Sequence, residues 1–596
     1  MGIFELLQQK ATEEIQHYYG ESVEPSQIQV QPTKKEYEGD FTIVTFPLAK
    51  ILKTSPDQIA ENIGSGLAQN LEVIRSYQVA GGFLNLSLFF SYWVDIVRQN
   101  YPLGRMELEP HKDPDRVMVE YSSPNTNKPL HLGHIRNNVL GWSVAEILKE
   151  RGHDVVKACL FNDRGAGIAR TIVSWENFAE GETPADAHRK GDHFVGDYYV
   201  KFAEELDQQI QELVEQGYSK EEAEKEAPIN KRNRETLRKW EEGDEEVINT
   251  WKKLNNWVYQ GFEETYKRMG VDFDCYYYES DTYLLGRDIV NEGLEKGVFY
   301  QKDDGSVWID LEDEGLGEKL LLRSDGTSVY ITQDLGTAEL KYKDYQPNRS
   351  IYVVGNEQDY HFQVLKAILR KLGKSYAEGI YHLSYGMVDL PTGKMKSREG
   401  TVVDADELLD EVKENAAELT FSLGKIEEMD ENEREELFEM IGQGALKFFI
   451  LKSDAHKRIT FSPEESIDFQ GFTGPFVQYT HARICSLLKK TGYNELLDEL
   501  PLNSVPELGE KEIELVRQLF YYQSTIEAAE KDFNPSEIAH YVYHLAKSFN
   551  RFYHEYPVKN EKDEDKKSFR LMMTAVVRGT VKHAMRLLGI QVPQRM

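Results

Sequence analysis

Residues 122 to 134 read SSPNTNKPLHLGH, and the fold turns on the end of this stretch, His131-Leu132-Gly133-His134. The run before it, Arg116 to Tyr121 (RVMVEY), is short, apolar and β-branched, as a buried strand requires. After it, Ile135, Val139, Leu140, Val144, Ile147 and Leu148 recur at spacings of one, three or four residues, the mark of a helix laid on a sheet. Val155 to Phe161 (VVKACLF) then reads as a second buried strand, so the order is that of a right-handed parallel crossover. A Rossmann-like parallel sheet is expected, with two imidazoles at a strand-to-helix turn where the free amides of the first helical turn face a bound anion. Gly133 is expected to let a ligand approach the backbone closely.

On its own a His-x-Gly-His is weak evidence, functional in about one chain in ten. A second segment raises its weight. Gly393-Lys394-Met395-Lys396-Ser397-Arg398-Glu399-Gly400 lies between an extended run ending at Leu390 and Thr401-Val402-Val403. Lys394, Lys396 and Arg398 can meet phosphate oxygens from several directions, and a plain basic surface turn is the competing explanation. Acceptors cluster elsewhere. Tyr330-Ile331-Thr332-Gln333-Asp334 overlaps an expected strand at Ser328 to Thr332 and sets a carboxylate four residues after a tyrosine, with Glu120, Asn125 and Gln358 in the motifs around it. A guanidinium presents five donors in a planar fork, so a pocket selecting it needs a carboxylate and neutral acceptors. Taken alone, Asp334 could equally cap a helix starting at Leu335. Gly165-x-Gly167 invites a dinucleotide site, but Arg170 stands where the third glycine belongs.

Together these motifs resemble the class I aminoacyl-tRNA synthetases, whose first signature is a His-x-Gly-His at the first strand-to-helix crossing, and within them the arginyl branch. The basic loop resembles that family's second signature in its Lys-Met-Ser-x-Arg form, with Lys396 at the usual serine and Ser397 at the usual second lysine. GDF (39–41), GGFLNLSL (81–88), GPFVQYTHAR (474–483) and LLGIQVPQRM (587–596) extend the likeness over nearly the whole chain. The resemblance implies ATP-dependent activation of L-arginine to arginyl-adenylate, release of pyrophosphate, and transfer to the 3′ end of tRNA(Arg) with release of AMP. It implies catalytic roles for Lys128, His131, His134 and Lys394, the imidazoles stabilising charge at the α-phosphate. Donors of that kind are worth about 3–4 kcal/mol each. Pro124, Gly133, Met387, Val388, Lys396 and Arg398 would join His134 and Lys394 around ATP, and Glu120, Ser122, Asn125, Tyr330, Asp334 and Gln358 would hold the arginine. Lys128 and Lys396 are alternative replacements for the missing signature lysine, and no roles are assigned to Asn162 and Asp163. Mg²⁺ is expected to arrive with ATP, and neither a metal-binding set nor zinc is expected in the protein. A non-catalytic RNA-binding paralogue is the rival from another class; the intact His131 and His134 weigh against it.

At 596 residues the chain is too long for one core. The expected class is α/β: an N-terminal α+β domain (1–111), a Rossmann-type catalytic domain (112–465) with a helical insertion at about 175–270, and an all-α domain (466–596); the resemblance implies that the first contacts tRNA and the last reads the anticodon. In the insertion Phe202, Leu206, Ile210, Leu213 and Val214 mark one apolar face. The main sheet is expected to resume with Ser306 to Leu311, Ser328 to Thr332 and Ile351 to Val354. The formal charge of −32 argues against indiscriminate binding of nucleic acid, so any RNA contact must be local, through clusters such as Lys231-Arg232-Asn233-Arg234 or Arg570 to Arg586. Cys159, Cys275 and Cys485 match no zinc spacing. With no apolar run of membrane-spanning length and no signal-peptide pattern, a cytoplasmic monomer is expected.

Overall fold

The computed structural model describes residues 2–34, 36–391, 403–422, 429–493 and 500–596, so Lys394, Lys396 and Arg398 lie outside the described residues. The chain forms two compact units, one of residues 1–107, 487–521 and 547–580, the other of residues 108–486, 522–546 and 581–596. In the first, helices Ile3–Tyr19 and Pro56–Asn70 accompany a four-stranded antiparallel sheet ordered Gln29–Pro32, Phe41–Val44, Phe83–Leu88, Ile74–Ala80. The second of these strands stops at Val44, because Pro47 in the first turn opens a helix at Phe46. Gly82, at φ +75°, turns the chain where a Cβ would strike the Phe46 ring at 2.8 Å.

The second unit is built on five parallel strands. In chain order its parts are β1 (Arg116–Glu120), α1 (Leu132–Glu150), β2 (Asp154–Phe161), α2 (Gly191–Glu215), α3 (Glu245–Met269), β3 (Cys275–Tyr278), α4 (Tyr330–Tyr345), β4 (Arg349–Gly355), α5 (Asp359–Lys371) and β5 (Ile380–Tyr385). The sheet order is β5-β4-β1-β2-β3. Connections from β1 lead to one side and the later strands add on the other, so the carboxyl ends of β1 and β4 flank a switch point, the usual ligand crevice of such sheets. The insertion is helical as expected, with Phe202 and Leu206 packed on Val173 and Ile229, but Val214 in the last turn of α2 is exposed. Among the described residues no helix is long and apolar enough to cross a membrane.

Two sequence expectations fail here. Ser306 to Leu311 does not rejoin the parallel sheet; Val307–Leu311 pairs antiparallel with Gly317–Leu322 and Tyr300–Gln301 in a separate small sheet. The short connection through Gly315 and Gly317, both at positive φ, can only join antiparallel neighbours. Ser328 to Thr332 is not a strand either, since Val329 is the N-cap of α4. Ile331, Leu335 and Ala338 are buried at helical spacing, a period that a five-residue window conceals.

Helix α1 carries polar residues on its buried side. Asn137 accepts from the Ser122 amide (2.5 Å) and donates to Val353 O (2.7 Å) and Tyr385 Oη (3.2 Å), tying the exit of β1 to β4 and β5. Arg136, 1 % exposed, donates to the carbonyls of Met387, Ala455 and Lys457 at 2.7–3.1 Å. Replacing Asn137 strands several buried partners, each worth about 1 kcal/mol when paired and more when abandoned. Asn137→Ala is therefore expected to lower unfolding free energy by about 2–4 kcal/mol, read as a shifted urea midpoint with unchanged m.

Candidate active site

The two imidazoles of the first motif are locked by backbone amides. Gly133 N donates to His131 Nδ1 (3.1 Å), and His131 N donates to His134 Nδ1 (3.2 Å). A backbone N–H can only donate, so each Nδ1 is the acceptor and each neutral ring carries its proton on Nε2. The rings lie 3.9 Å apart, centre to centre. Burial, then Lys128, pushes His131 down to about 4; burial, then His131 and Lys128, holds His134 well below the usual histidine range. Both are neutral Nε2–H donors at neutral pH.

This geometry corrects two expectations. The first-turn amides Leu132 N and Gly133 N are already used, by Val403 O (3.2 Å) and by His131 Nδ1, which leaves the imidazole N–H groups as the donors at this turn. The expected open approach at Gly133 is filled from within, because a Cβ there would lie 2.9 Å from His131 Cε1. The glycine makes room for the ring of His131.

Around this pair the chain is strained and braced. Ser122 and Ser123 are successive non-glycine residues at positive φ (76° and 44°), a conformation costing of order 1–3 kcal/mol each. Ser122 Oγ lies 2.6 Å from Tyr266 Oη, and Asn162 holds the carbonyls of Ser123 and Pro124 at 3.0 Å. Asp163 accepts from Ser280 and Tyr259. Asn162 and Asp163 thus brace the loop. Pro124 is buried and Asn125 exposed. Half-buried Lys128 is lowered by burial. Glu120 is paired with buried Lys341 of α4, whose ammonium also lies 4.6 Å from the centre of the Tyr352 ring. Met387 O accepts from Arg136 and Ile459 N, and the Val388 side chain is buried against the strand at Ile459.

The second group lies on α4 and beyond β4. Tyr330 is 77 % exposed and Asp334 stands one helical turn on, bonded to His361 Nε2 of α5 at 2.5 Å. Gln358 is exposed in the turn between β4 and α5. Two neighbours escaped the sequence reading. His361 sits three residues after Gln358, and only the packing of α5 on α4 brings it to Asp334. Glu279 follows β3 and shares an open cleft of about 700 Å³ with Tyr330, Gln333 and Arg323. Burial, opposed by Arg164 and helped by Asp163 and Asp334, pushes Glu279 up to about 7. Asn137 spans the two groups, from Ser122 to Val353.

Comparison with known proteins follows this division. Residues 104–462 match the model of tRNA synthetases class I (R), catalytic domain; residues 5–88 match the arginyl tRNA synthetase N terminal domain, and 477–596 the DALR anticodon binding domain. An arginine–tRNA ligase of Parabacteroides distasonis is 49 % identical over 585 residues, 98 % of each chain. The chain belongs to the arginyl-tRNA synthetase family. Another arginine–tRNA ligase, from Porphyromonas gingivalis, is 48 % identical over the full length of both chains. The solved arginyl-tRNA synthetase of Thermus thermophilus shares the fold with a TM-score of 0.80 at 24 % identity, covering all of both chains. The arginyl-tRNA synthetase of Plasmodium falciparum shares it at 0.77 and 20 %, covering 100 % of this chain and 99 % of that one.

For this member of the family, Gly133→Ala tests the role of the glycine. A methyl group must displace the His131 ring, while alanine suits a helix's first turn. Expected is a loss of about 10²–10³ in adenylate formation, the usual cost of one misplaced donor, with a thermal midpoint within a few degrees of wild type.

Proposed function

We propose that this chain is an arginine–tRNA ligase in which His131 and His134 act on ATP and Asp334 with Glu279 receives the guanidinium. The arginine carboxylate attacks the α-phosphorus, the bond to the β-phosphate oxygen breaks, and pyrophosphate leaves. A ribose hydroxyl at the 3′ end of tRNA(Arg) then attacks the adenylate carbonyl and AMP departs. The observation that carries this is the pair of Nε2–H donors fixed by backbone amides at the switch point, in a chain of this family. Preorganised donors need no reorientation as phosphate charge develops.

Lys128 stands close enough to depress both rings, which favours it as the cation beside them; Lys394, Lys396 and Arg398 are assigned to the phosphates from the second loop. Mg²⁺ enters with ATP, and the reaction needs no zinc. Tyr330, Asp334, Glu279 and Gln358 are assigned to the arginine side chain, and Glu120, Ser122 and Asn125 to its α-carbon end. Ser122 serves through the backbone it holds, since its hydroxyl is engaged. Residues 1–111 are assigned to tRNA contact, 112–465 to catalysis and 466–596 to anticodon reading, in a cytoplasmic monomer.

Pyrophosphate exchange measured with each amino acid, with and without tRNA, is expected to respond to arginine alone; no exchange with arginine plus tRNA sinks the proposal. In the same assay Asp334→Asn should lower kcat/KM for arginine by about 10²–10³ while the KM for ATP changes little, the loss expected of one charged partner to a guanidinium. Glu279 adds a pH signature. A guanidinium favours its ionised form, so arginine binding weakens as pH falls below the value of about 7 at which Glu279 takes up a proton. The KM for arginine should rise from pH 8 to pH 6 in wild type and stay flat in Glu279→Gln.

A further inference from the structure

Beside the first motif lies a cluster that no step above uses. His193, in the first turn of α2, has Nε2 3.2 Å from both Asp404 Oδ2 and Asp406 Oδ2. Lys190, capping the same helix, reaches Asp406 Oδ2 (2.6 Å), Asp192 Oδ2 (3.3 Å) and Thr265 Oγ1 of α3 (2.5 Å). The ammonium of Lys190 thus sits among Asp192, Asp406 and Thr265. Gly261 of α3 lets the two helices close on this point, since a Cβ there would fall 2.3 Å from Asp192 Oδ1.

The cluster touches the first motif from two sides. Asp404 bridges His131 in antiparallel backbone pairing, with Leu132 N on Val403 O (3.2 Å) and Ala405 N on Leu130 O (2.9 Å). Asp404 Oδ1 also accepts from the amides of Asp406 and Glu407, opening the helix Ala405–Ser422. One turn on from His193, Gly196 lies against Pro129, where a Cβ would meet Pro129 Cδ at 2.8 Å. Burial alone would lower His193, yet the two carboxylates push it up to about 10, so it is a cation at neutral pH. Asp406 is held well below the usual carboxylate range by His193 and Lys190, against the effect of burial.

We infer that His193 is a positioning residue: it clamps Asp404 and Asp406 to α2, and so holds the segment Lys128 to His131 in register for ATP. The inference rests on the assignment of that segment to ATP. The clamp makes no contact with Tyr330, Asp334 or Glu279 among the described residues, so its loss is expected to fall on ATP rather than on the arginine side chain. In pyrophosphate exchange, His193→Ala is expected to raise the KM for ATP or lower kcat, for a combined loss of about tenfold, with the KM for arginine unchanged. His193→Gln, which keeps the size, should behave alike and serves if the alanine variant does not fold. His193→Lys, which returns a cation between the two carboxylates, should recover most of the loss.

Wild-type kinetics for ATP in both His193→Ala and His193→Gln overturn the inference. So does an equal change in the KM for arginine with no rescue by His193→Lys, which marks a merely structural role. Wild type measured alongside keeps the two levels apart: no exchange in wild type overturns the proposed function, whereas normal wild-type exchange with unaltered variants overturns the clamp alone.

Discussion

The buried polar stripe of α1 is the constraint on which the catalytic unit depends. Its apolar residues would pack on many sheets, but Arg136 and Asn137 admit only one arrangement of the chain around them. Asn137 satisfies an amide leaving β1 and a carbonyl in β4, so the switch point cannot open without stranding buried hydrogen-bonding groups. Arg136 does the same for the chain at Met387 and at Ala455 to Lys457. The charge of Arg136 is held at a cost in desolvation that lowers its affinity for a proton to about 10. Polar groups buried with every partner in place specify register more sharply than apolar contact does.

A similar economy governs the imidazoles. A histidine pair close to a lysine could have been a cationic site; burial and the neighbouring cation make it a neutral one. Neutral rings offer an anion aimed N–H groups rather than charge, and the backbone decides which nitrogen carries each proton. In the proposed reading Lys128 supplies the positive charge instead. The strained Ser122–Ser123 turn fits this picture, since strain persists only where surrounding bonds over-determine it, here those from Asn137, Tyr266 and Asn162.

Much of this was legible in the sequence because the signals were local. RVMVEY and VVKACLF have the composition of buried parallel strands, and the helix between them repeats apolar residues at its own period. The histidine motif was visible as a pattern, and Tyr330 with Asp334 as a spacing. What escaped was non-local: Glu279 and His361 carry no motif, and they join Tyr330 and Asp334 only through the sheet order and the packing of α5 on α4. Ser306 to Leu311 was read as part of the main sheet because composition identifies a strand without naming its partner. Tyr330's helix was misread as a strand because a short apolar run is ambiguous between the two periods.

The sequence by itself determined which segments are strands and helices over long periodic stretches, that a turn carrying two histidines follows the strand Arg116–Glu120, and which family the motifs resemble. Only tertiary structure decided the tautomer of each histidine, the occupation of the helix's first amides, the pairing of Glu120 with Lys341, and the meeting of His193 with Asp404 and Asp406. The physical reason is range. Propensity and periodicity act between residues a few positions apart, whereas proton placement and charge pairing are set by burial and by neighbours here about two hundred positions away in the chain.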